Sequence, residues 1–111
     1  MGIQQHETLI ITTYDKSICE ELVSKLSNEN KYCLSDYHVS PVNGYVSLTI
    51  YTIGSKLGWK EDKFHKNNIY QIIKTIKTFD FDDGSNPFDF VHLSYGDWGA
   101  EIERTNCENK Y

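Results

Sequence analysis

Apolar and polar residues alternate along the chain with periods that change from segment to segment. Residues 8–14 (TLIITTY) are rich in β-branched side chains and predict a strand. In residues 17–28, Ile18, Leu22 and Leu26 recur on one face, predicting a helix. Ser17 and Glu20 supply a capping-box pattern at its start, and Asn28 and Asn30 a polar end. Residues 32–40 (YCLSDYHVS) and 45–53 (YVSLTIYTI) predict a second and a third strand, joined by a hairpin link at 41–44 (PVNG). Residues 61–79 predict a second helix, with Asp62 as its cap and an apolar stripe of Phe64, Ile69, Ile72, Ile73, Ile76 and Phe79. Five lysines (60, 63, 66, 74 and 77) populate its outer side. After a turn-rich stretch at 80–87, residues 88–95 (FDFVHLSY) predict a fourth strand. A short fifth strand at 100–104 is expected to pair back across the 96–99 turn.

This β-α-β-β-α-β order predicts an α+β fold with an antiparallel sheet of four to five strands and two helices on one face. It resembles the ferredoxin-like sandwich. The whole chain, residues 1–111, reads as one domain with a polar, frayed tail at 105–111. Side-chain alternation assigns Val46, Leu48 and Ile50 to the helix-covered face and Tyr45, Ser47, Thr49 and Tyr51 to the other. In the second strand Tyr37 and Val39 alternate with His38 and Ser40. In the fourth, Val91, Leu93 and Tyr95 alternate with His92 and Ser94. The open face is therefore expected to carry Tyr, His, Ser and Thr, and to serve as a ligand platform or a homodimer interface.

Composition narrows the partners. The net charge is −5 and Arg104 is the single arginine, which argues against nucleic-acid binding. A basic protein partner or a small ligand fits better. No apolar run is long enough to span a membrane, and the N-terminus lacks the basic and apolar regions of a secretory signal. Met1-Gly2 is not followed by the hydroxyl residue of a myristoylation start. Cytoplasmic location is the expectation. Cys19, Cys33 and Cys107 have no metal-binding spacing and are expected to be reduced thiols. Ala and Arg occur once each beside eleven Ile and ten Lys, a bias of AT-rich genomes such as those of many phages and low-GC bacteria.

Candidate chemistry concentrates at the glycines. Six of the seven fall in three segments: 43–59, 83–87 and 95–99. The residues they carry that suit binding are Ser55, Lys56, Trp59, Tyr95, Asp97 and Trp98. Gly54-Ser55-Lys56 with Gly58 can hold an anion on turn amides and a lysine, although the spacing is not that of a P-loop. These glycine turns are expected to converge at one end of the sheet, with residues 56–59 meeting at least one of the other two. His38-Val39-Ser40 and His92-Leu93-Ser94 resemble the paired His-x-Ser strands of the 2H phosphoesterases, in which two histidines act as acid and base. His6-Glu7-Thr8 fits the same pattern, so the motif is cheap. Asp80, Asp82, Asp83 and Asp89 match no calcium-loop register, and His65 lacks partners at metal-ligand spacing, so neither a metal nor a cofactor is expected.

Together NGYVS, GSKLGW, DGSNP and YGD resemble an uncharacterised family of small phage and bacterial proteins with N-G-Y-x-S, G-S-K-x-G-W, D-G-S-x-P and Y-G-D motifs. The match spans residues 43–97 in the same motif order, with Ile53 where the family pattern has an acid. No activity is assigned to that family, so the resemblance implies a shared fold and site rather than a reaction. The leading expectation is a small cytosolic binding protein, phage- or mobile-element-encoded, that inhibits a host defence or rival factor. The alternative is a nucleotide or small-ligand sponge. A 2H-like phosphodiesterase using His38, Ser40, His92 and Ser94 ranks below both, so a non-enzyme is favoured.

Overall fold

A computed structural model describes residues 3–54 and 56–104. Ser55 and the 105–111 tail, with Cys107, lie outside the described residues. The elements are β1 (Gln5–Thr13), α1 (Lys16–Lys25), β2 (His38–Val39), β3 (Val46–Ile50), α2 (Lys60–Lys77), β4 (Phe88–Gly96) and β5 (Gly99–Arg104). The fold is α+β, with one five-stranded antiparallel sheet in the order β2-β3-β1-β4-β5 and two helices. No helix among the described residues is long and apolar enough to cross a membrane.

The core follows from the register of β1. Leu9 lies between Ile50 and His92, Ile11 between Leu48 and Phe90, and Thr13 between Val46 and Phe88. These side chains share a face, and all but His92 are buried. Against them pack Cys19, Leu22 and Leu26 from the α1 segment and Ile69, Ile72, Ile73 and Ile76 from α2. Burial raises the Cys19 thiol to about 11 and the Cys33 thiol above its ordinary value, so both stay protonated and unreactive at neutral pH.

Local chemistry moves several boundaries. α1 is capped by Asp15, not Ser17: Asp15 Oδ1 accepts the Ser17 amide at 2.8 Å and the Ser17 hydroxyl at 2.8 Å. The helix stops at Lys25 because Ser27 and Asn30 bond each other's backbone instead, at 3.1 and 3.3 Å. Asp62 is not the cap of α2: the N-cap is Trp59, with no side-chain bond, and Asp62, the third helical residue, accepts the Gly58 amide at 3.0 Å and pairs with Lys66 at 3.2 Å. The second strand shrinks to two residues because Ser35 interrupts its ladder: its hydroxyl, not a carbonyl, takes the Thr49 amide at 2.9 Å. Cys33 and Ser35 still track β3 through Tyr51 and Thr49.

One assignment of faces is reversed. His92 and Ser94 lie on the helix side of β4, while Val91, Leu93 and Tyr95 lie on the open side with His6, Thr8, Ile10 and Thr12. Phe88 and Phe90, both buried, set the parity of the strand. The open face is consequently more apolar than expected.

Gly96 closes the β1–β4 ladder at φ 148°, where a Cβ would overlap the Gln4 carbonyl oxygen. Gly44, at φ 76°, has open space around it. Gly44→Ala is therefore expected to show only the roughly 1–2 kcal/mol cost of a left-handed alanine. Gly96→Ala should lower the urea midpoint further, because a backbone clash is added.

Candidate functional site

Two of the three glycine turns meet through the N-terminal segment. β3 and β4 are both antiparallel to β1 and flank it, so they end at the same edge of the molecule. On one side Lys56 bridges to Gln4, and the Leu57 amide donates to the Ile3 carbonyl at 2.8 Å. On the other, the Asp97 amide donates to the Gln4 carbonyl at 2.8 Å, while Asp97 Oδ2 accepts the Gln4 amide at 2.9 Å. Gln5, 8% exposed, accepts the Trp98 amide and donates to Gly99 O and Ser94 Oγ. The third turn sits at the opposite end, where Thr13 Oγ1 donates to the Pro87 carbonyl at 2.9 Å.

Beside the 56–59 loop lies a depression of about 390 Å³ lined by Tyr32, Ile53, Gly54, Trp59, Glu61 and Phe64. Trp59 is 53% exposed at the N-terminus of α2, and Lys56 Nζ stands 5.5 Å from the centre of its ring. The Tyr32 and Phe64 rings lie 5.2 Å apart at 57°. Behind them Tyr32 Oη is 2.8 Å from His65 Nδ1, and His65 Nε2 is 3.0 Å from the Glu7 carbonyl oxygen. A carbonyl only accepts, so Nε2 carries a proton, and in the neutral ring Nδ1 takes the hydrogen of the phenol. Burial holds the Tyr32 phenol well above its ordinary pKa, so it stays neutral.

Tyr32 is placed by a polar tie between the α1–β2 connection and α2. Asn30 Nδ2 donates to Asn68 Oδ1 at 2.8 Å and to Gln71 Oε1 at 2.9 Å, with Asn30 and Asn68 both buried. The amides of Leu57, Gly58 and Trp59 are already bonded to Ile3, Asp62 and Lys56. An anion here would therefore be held by the Lys56 ammonium rather than by those amides.

The other anticipated residues are placed elsewhere. Tyr95 is on the open face opposite His6, their rings 5.3 Å apart. Trp98, 67% exposed, belongs to the β4–β5 turn and does not line the depression. Asp97 fastens the N-terminal segment. Ser55 is outside the described residues. Tyr32, Phe64 and His65 were not anticipated as site residues. The one signal in the sequence was the i, i+3, i+4 spacing of Glu61, Phe64 and His65 on α2.

The His-x-Ser pair does not assemble. β3 and β1 separate the strands of His38 and His92, and the register puts the two histidines on opposite faces of the sheet. Ser40 Oγ accepts the Val42 amide and Ser94 Oγ the Gln5 side chain, so both hydroxyls work within the fold. His92 lies between carboxylates, with Nε2 at 3.2 Å from Glu7 and Nδ1 at 3.6 Å from Glu103. The Glu7 carboxylate raises its pKa, burial opposes the rise, and Glu103 adds to it. The resulting stability is fully present below about pH 6.5 and lost as pH rises through the higher folded value. We expect the urea midpoint to fall as pH rises above about 6.5, and the slope to flatten in His92→Gln.

Among the described residues, no group of three or more His, Cys, Asp or Glu side chains is placed to hold a metal ion. The loop aspartates act locally: Asp83 Oδ1 accepts the Ser85 amide and hydroxyl, and Asp80 Oδ1 accepts the Asn86 amide nitrogen. Comparison with known proteins finds no matching family model, no matching curated protein and no matching solved structure.

Proposed function

We propose that the protein is a small-ligand binding module that takes a planar, singly or doubly charged anion of nucleotide type in the aromatic depression. The observation that carries this reading is the exposed Trp59 ring, which lines a recess with Tyr32 and Phe64 and has the Lys56 ammonium over it at 5.5 Å. A base stacks on Trp59 between the aromatic walls of the recess, and Lys56 meets the phosphate. Glu61 on the lining and the net charge of −5 disfavour higher phosphates. Mononucleotides are therefore the preferred class.

The committed Ser40 and Ser94 hydroxyls and the carboxylate-bracketed His92 support sequestration over conversion. Residue usage and the order of the glycine motifs support a phage or mobile-element origin, in which the module acts as a cytoplasmic sponge or inhibitor of a host defence. The strand order β2-β3-β1-β4, with both helices against one face, supports a ferredoxin-like sandwich extended by β5.

The test is a thermal-shift and calorimetric comparison of nucleosides with their monophosphates. The wild type should bind the monophosphate about fivefold more tightly, as expected for one solvent-exposed ion pair worth about 1 kcal/mol. Lys56→Ala should erase that preference while leaving nucleoside affinity unchanged. Equal binding of both by the wild type, or a preference that survives Lys56→Ala, contradicts the role of Lys56. No binding of either contradicts the function.

A further inference from the structure

We infer that the open face of the sheet is the contact between two copies of this chain. Ile10 pairs with Val91, and Leu93 with Ile102, so an apolar band crosses β1, β4 and β5 without a break. Tyr95 continues it along β4, and Ile10, Tyr95 and Ile102 are 40%, 42% and 69% exposed. Both helices pack against the other side, so nothing within the described residues covers this one.

Area and charge identify the occupant. Five strands about 4.8 Å apart, of nine, two, five, nine and six residues at about 3.3 Å each, give a face of roughly 500 Å². Two such faces bury about 1,000 Å² in all, the lower end for a specific contact, so the association is a weak one. The chain as a whole carries −5, yet the open side of the strands holds one acid and one base, Asp89 and Arg104, paired at 3.2 Å. Two acidic copies repel least where they meet through this charge-poor band. A basic foreign partner would be drawn to the acidic surface elsewhere. A two-fold axis through the band sets the same apolar residues of both copies against each other. Packed sheets lie about 10 Å apart, a spacing that Ile, Leu and Tyr side chains fill. The aromatic depression is lined from the helix side and stays open, so the contact is independent of the ligand reading.

Sedimentation equilibrium of the full chain from about 1 µM to about 1 mM tests this. We expect a concentration-dependent rise from the monomer mass to twice that mass. Ile102→Lys, at an exposed position, should weaken association at least about tenfold without changing the far-UV spectrum or the urea midpoint measured at the monomer limit. Leu93→Lys should do the same, with Ile102→Lys deciding if Leu93→Lys folds poorly. Trp59→Ala should leave association unchanged. A monomer over the whole range overturns the inference, and leaves the face to a different protein. A dimer that both lysine variants leave intact overturns it equally, because another surface then holds the copies together.

Discussion

Trp59→Ala is expected to lower mononucleotide affinity about 10- to 100-fold. Stacking a base on an aromatic ring is worth about 1–3 kcal/mol, and Trp59 offers its face beside Lys56 with half its surface in solvent. The same substitution should change stability by no more than about 0.5 kcal/mol, because the indole supplies no side-chain cap to α2 and is outside the core. Calorimetric titration alongside urea denaturation separates the two effects. Affinity unchanged by Trp59→Ala means the ligand does not stack there. A large loss of stability means that the ring is structural and the depression incidental.

Phe88→Ala is expected to cost about 3–5 kcal/mol, a large part of the roughly 5–15 kcal/mol that holds a domain of this size together. Phe88 is fully buried at the start of β4 and meets Phe79 edge-on at 5.1 Å and 88°. Val91→Ala, three residues along the same strand, should cost about 1 kcal/mol or less, because Val91 lies on the open side. Urea denaturation of both variants, at a protein concentration where the chain is monomeric, checks the parity of the strand. Equal losses would mean that β4 buries both faces.

That parity shows how far the sequence can be read. β4 is apolar on both faces, with Phe88 and Phe90 against Val91 and Leu93, so alternation identified a strand without saying which face was buried. Where periodicity had no such ambiguity, as along Ile69, Ile72, Ile73 and Ile76 or Val46, Leu48 and Ile50, the elements and their buried sides were legible. The ends of α1 and β2 were set by Asp15, Ser27, Asn30 and Ser35 bonding to backbone, a competition that propensity does not express.

The site was half legible. Lys56 and Trp59 stood out because a glycine-rich loop with a cation and an indole is chemically conspicuous. Tyr32 did not, since its position depends on Asn30 reaching Asn68, 38 residues away, and its hydroxyl on His65. The segment that joins two of the turns, residues 3–5, is polar and unpatterned. Its role comes from the Gln4 backbone and the Gln5 amide lying between the two loops.

The most direct measurement is a fluorescence titration of the Trp98→Phe protein, in which Trp59 is the remaining tryptophan. Trp98 is exposed in the β4–β5 turn and does not line the depression, so its removal should leave the site intact. Adenosine, guanosine, cytidine and uridine monophosphates are added separately up to about 10 mM. At least one should quench the Trp59 emission saturably, with a dissociation constant between about 10 µM and 1 mM. Emission that stays unchanged with all four contradicts nucleotide binding at the aromatic depression.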